Sequence, residues 1–228
     1  VSFAGLPPLV RARPGDDTQG DAPTEVSTMT GRHPATAAQR TELLHRMLLL
    51  RGGDQDPAHR GEEAITVGLR SALGPGDTVA DGPVLAVELA HDDVRRHRPA
   101  VTVCFVGDEA APGLTSCLGQ AIDDRLPVLF CCAGRHGTDP DGLPAGAVDG
   151  ADIEAVTRAA LTAVHPVRAG AGPRLLHFRT YARADSPRHD PIRILADRMR
   201  TDHQLDDNAL AAIEKHVAGQ LGGRIRRG

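Results

Sequence analysis

A chain of 228 residues, 40% of them hydrophobic, can bury one sizeable core, and its length does not demand a second domain. With aromatic residues at 2%, no Trp and a single Tyr, the core must be aliphatic, and platforms for stacking nucleic-acid bases are essentially missing. A formal charge of -4, from 26 basic against 30 acidic residues, also opposes a phosphate-backbone partner, which removes nucleic acid as an expected ligand.

Residues 1–36 are rich in Pro, Gly, Asp and Thr and lack a sustained period, the composition of a disordered segment. Residues 37–228 read as one α/β domain with C-terminal helices. After the capping candidate Thr36, Leu43, Leu44, Met47, Leu48 and Leu50 recur at helical spacing until Gly52-Gly53, which predicts an amphipathic helix. A second helix is expected from about Glu62 to Leu73, stopped by Gly74-Pro75-Gly76-Asp77 and followed by the short extended Thr78-Val79-Ala80. Pro83 to Arg96 reads as a third.

Ala100 to Cys132 carries the plainest pattern in the chain. Val101, Val103, Phe105 and Val106 form a short apolar run that stops at Gly107-Asp108-Glu109. A helix-length segment then leads through Leu126-Pro127 into the continuous apolar Val128 to Cys132, the signature of strands buried on both faces of a parallel sheet. Ligands of such sheets collect outside the carboxyl ends of the strands, which directs attention to Gly107-Asp108-Glu109 and Ala133-Gly134-Arg135-His136.

Beyond this unit, Asp152 stands at the start of a predicted helix over 153–164, where a carboxylate suits the positive end of the helix dipole. Arg174 to Tyr181 predicts the last strand, and helices are expected at about 191–199 and 206–217. His177 falls inside that strand, where a neutral, hydrogen-bonded imidazole is the expectation. Cys104, Cys117 and the adjacent Cys131-Cys132 show no C-x-x-C spacing and read as free thiols of a reducing cytoplasm. No eighteen-residue apolar run and no cleavable leader pattern occurs, so the expectation is a cytoplasmic protein without a membrane partner.

Several stretches, in order, resemble the alpha subunit of the thiamine-diphosphate-dependent component of 2-oxo acid dehydrogenase complexes. They are LLHRMLLLR from Leu43, GEEAITVGLRSALGPGDTV from Gly61, AVTVCFVGDEAA from Ala100, LPVLFCC from Leu126, VDGADIEAV from Val148 and RAGAGPRLLHFRTY from Arg168, with DPIRIL and LDDNALAAIEKHV near the end. The resemblance implies a three-layer α/β/α fold with a mainly parallel sheet, a truncated form of the thiamine-diphosphate-binding fold. It also implies thiamine diphosphate and Mg²⁺ as cofactors, with Gly107, Asp108 and Arg135 as the cofactor-binding positions and Asp108 as the metal ligand. A hard cation of this kind takes oxygen ligands from protein and phosphate together.

The chain departs from the family pattern at those positions. Glu109 stands where a third glycine belongs, and Ala133-Gly134-Arg135-His136 stands in place of an Asn-Asn pair. The segment that supplies phosphate contacts between the Gly-Asp-Thr-Val turn and the next strand is missing, since Val79 leads through Asp81-Gly82-Pro83 into a helix. The loop after the last strand retains Ser186 without the family's active-site histidine. Asp108 therefore reads either as a Mg²⁺ ligand or as an ordinary strand-end turn residue, and Arg135 and His136 either as phosphate contacts or as solvated loop residues.

Three functions follow from the resemblance and its gaps. One is an alpha-subunit-like component, catalytically impaired alone, that works with a beta-type subunit and a lipoyl carrier protein on a 2-oxo acid. Another is a non-catalytic partner or regulatory subunit that retains only the fold. The third is a fold that persists without a role. Association is expected in the form of a homo-oligomer or a complex with a beta-type subunit, with Val84, Leu85, Val87 and Leu89 of the helix at 83–96 left uncovered near the contact.

Overall fold

Two adjacent central strands are almost wholly apolar, and the reason is visible in how their residues divide between two cores. In β2 (Thr102–Val106), Val103 and Phe105 face one side of the sheet, while Cys104 and Val106 face the other. β3 (Val128–Gly134) repeats the alternation with Leu129, Cys131 and Ala133 against Val128 and Phe130. This is the double-sided burial that a parallel sheet imposes. The structure is a computed structural model that describes residues 35–53, 61–106, 113–134, 147–181 and 188–225.

Five strands, all parallel, lie in the order β1-β2-β3-β5-β4, with β1 at Thr78–Asp81, β4 at Ala147–Asp149 and β5 at Arg174–Arg179. Helices α3 (Pro83–Arg95) and α4 (Leu114–Asp123) cover one face through Ala86, Val87, Ala90, Leu114, Leu118 and Ala121. Helices α2 (Glu63–Ser71) and α5 (Ile153–Arg168) cover the other through Ile65, Leu69, Val156, Ala160 and Val164. The three-layer α/β/α fold expected from the sequence is present. Outside α2 and α5, a further group of helices, α1 (Ala37–Gly53), α6 (Pro191–Thr201) and α7 (Asp207–Ile225), closes a third core around Leu44, Met47, Ile153, Leu195 and Met199.

Local signals set the helix starts. Thr36 and Gln39 form a reciprocal capping box on α1, at 3.3 and 2.9 Å. Asp152 accepts from the amides of Glu154 and Ala155 at the start of α5, and Asp190 from those of Ile192 and Arg193 at α6. Gly68 is where α2 and α5 meet most closely: a Cβ there would fall 2.6 Å from Val156 Cγ1.

Several boundaries differ from the sequence reading, among them β5, which ends at Arg179 and not at Tyr181. β3 continues through Ala133 and Gly134, which pair with Phe178 and Arg179, so two residues expected in a loop belong to the sheet. β4, three residues long, carries no period of its own and is held by β5. α5 and α7 run past their expected ends, α5 through Pro166, because tertiary packing carries a helix beyond its local pattern. Val87 is buried at 4% exposure in the core under α3, and Leu89 is half-buried, while Val84 and Leu85 are exposed as expected. The helix turns Val84 and Leu85 outward and Val87 inward, as its 100° step requires.

Candidate functional site

Because every strand is parallel, all carboxyl ends emerge on one edge of the sheet. Val106 ends β2 beside Cys132, and Gly134 ends β3 beside Arg179, which in turn pairs with Asp149 at the end of β4. The expected cofactor positions Gly107, Asp108 and Arg135 lie outside the described residues, as do Glu109, His136 and Ser186. The residues that precede them, Val106 and Gly134, end neighbouring strands.

A polar cluster that sequence reasoning did not single out is built where β4 and β5 end. Burial together with the nearby Asp149 carboxylate pushes the Tyr181 phenol up from its ordinary value, and the Arg179 guanidinium works in the opposite direction. The Tyr181 ring stacks on His189, with centroids 3.8 Å apart and planes within 3°. Gly150 turns the chain beneath this cluster by donating to Arg179 O at 3.0 Å, and a Cβ at Gly150 would lie 2.8 Å from that oxygen. Glycine is thus a steric requirement there. The Asp149 carboxylate also accepts from the Ala151 amide at 3.0 Å.

Two ion-pair networks anchor the helices behind this edge. Arg51, in the last turn of α1, donates to Glu63 at 2.7 Å and grips both Asp190 oxygens at 2.9 and 3.0 Å. Burial works to raise Asp190, but Arg51 and two helix amides outweigh it and hold the carboxyl below the usual range. Arg40 is buried and donates to Glu154 at 2.8 Å, to Gln204 at 3.0 Å and to Asp202. Arg198 spans Asp152 and Glu154, and it keeps Asp152 low against the effect of burial. The partners lie up to 164 residues apart, so no local signal could have announced them.

Among the described residues no cluster of His, Cys, Asp or Glu could hold a metal ion. The edge presents the exposed carboxylates Asp81 and Asp149 and the exposed guanidinium of Arg179. All four cysteines are free; Cys104, Cys117 and Cys131 are buried, and burial pushes Cys104 up to about 12.

Comparison with known proteins places this geometry. The chain is 26% identical over 171 residues to the pyruvate dehydrogenase E1 component subunit alpha-3, chloroplastic, of Oryza sativa subsp. japonica, covering 65% of this chain and 40% of that protein. It is 27% identical over 172 residues to the pyruvate dehydrogenase E1 component subunit alpha of Porphyra purpurea, covering 64% and 50%. A third relative, subunit alpha-3 of Arabidopsis thaliana, is 26% identical over 165 residues. The chain is distantly similar to these E1 alpha subunits. It spans half or less of the length of the curated relatives it matches. No family model matches the chain.

The stretches that resemble E1 alpha build the framework. The aspartate of Gly-Asp-Thr-Val, Asp77, accepts from the amides of Gly74 and Val101 and from Arg168. The Val-Asp-Gly-Ala-Asp stretch supplies Asp149, the tight turn at Gly150 and the Asp152 cap. No helix among the described residues is long and apolar enough to cross a membrane.

Proposed function

We propose that this chain is an alpha-like component of a thiamine-diphosphate-dependent 2-oxo acid dehydrogenase that cannot catalyse alone and acts by assembly with a beta-type subunit. One observation carries the reading: the framework residues of the E1 alpha-like stretches are engaged in their bonds, while the edge that would meet the cofactor is acidic. Gly107, Asp108 and Arg135 directly follow the ends of β2 and β3, where the diphosphate would approach. Glu109 stands in the sequence where the family pattern has a glycine, and Asp81 and Asp149 put negative charge at the edge. This set does not fit Mg²⁺ and diphosphate, so the chain's contribution is its framework and the surface it offers a partner.

In the assembled enzyme the substrate is a 2-oxo acid and the acyl acceptor a lipoyl carrier protein. The four free thiols suit a cytoplasmic setting. A second reading, a non-catalytic or regulatory partner, is favoured by Glu109. Co-expression with a beta-type subunit from the same genome separates the two. Co-elution with 2-oxo acid decarboxylation by the pair alone supports the alpha-like component, and co-elution without activity supports the regulatory reading. Decarboxylation by the chain alone, with thiamine diphosphate and Mg²⁺ supplied, contradicts both.

A further inference from the structure

We draw no further inference here: the strongest candidate, the exposed apolar face that Val84 and Leu85 form on α3 beside the end strand β1, carries nothing because no feature of the structure shows what covers it.

Discussion

Arg168, at the end of α5, grips both carboxylate oxygens of Asp77 at 2.8 and 2.5 Å across 91 residues of chain. Asp77 is nearly inaccessible, with 1% of its side chain exposed, and its oxygens also take the amides of Gly74 and Val101. One carboxylate thus fixes the amino ends of β1 and β2 to the helix behind them. Asp77→Ala leaves two amides and a guanidinium unanswered and should cost about 3 kcal/mol, or about 6 to 12 °C in melting temperature for a chain this size. Calorimetry checks it. A loss below 1 kcal/mol would mean that water replaces the carboxylate.

Arg40 and Glu154 are a buried pair, with 7% and 8% of their side chains exposed. Removing one partner strands the other, so Arg40→Met should destabilise by about 3 kcal/mol. Adding Glu154→Leu should recover part of that loss, because Arg198 is 35% exposed and can turn to water. Urea titrations of the single and double variants measure it, and additive losses would contradict the coupling.

Asp152 and Asp190 are both held below the ordinary carboxylate range, by Arg198 and Arg51 against the opposing effect of burial. The unfolded chain therefore binds protons first as pH falls. The stabilisation is complete above about pH 4, the unfolded value, and is lost as pH drops through the lower native values. Unfolding midpoints measured from about pH 2 to 6 should fall on the acid side, and less steeply in Asp190→Asn. An unchanged slope in that variant would remove Asp190 from the account.

Val84 and Leu85 are 56% and 42% exposed on α3, on the side of the sheet away from α1, α6 and α7. The expected state at tens of micromolar is an assembly with α3 at the contact, which Leu85→Asp should dissociate. Light scattering decides between that and a stable monomer.

The architecture was legible where one residue type admits one conformation or one face. The apolar runs of β2 and β3 announced a parallel sheet, Thr36 and Asp152 announced helix starts, and Gly74 through Asp77 announced a stop. What depends on distant partners was not. β4 exists only because β5 pairs with it, Ala133 and Gly134 extend β3 for the same reason, and the Arg40 and Arg51 networks join residues more than 100 positions apart. The Tyr181–His189 stack belongs with these, since a single tyrosine in a polar stretch gives no hint of which ring lies against it.

The most direct test of the central claim is titration calorimetry of thiamine diphosphate with Mg²⁺ into the isolated chain. The account predicts no tight binding, because Glu109 and the acidic edge oppose the diphosphate. A dissociation constant near micromolar, about -8 kcal/mol, abolished by Asp108→Ala, would contradict it and restore Asp108 as a working metal ligand.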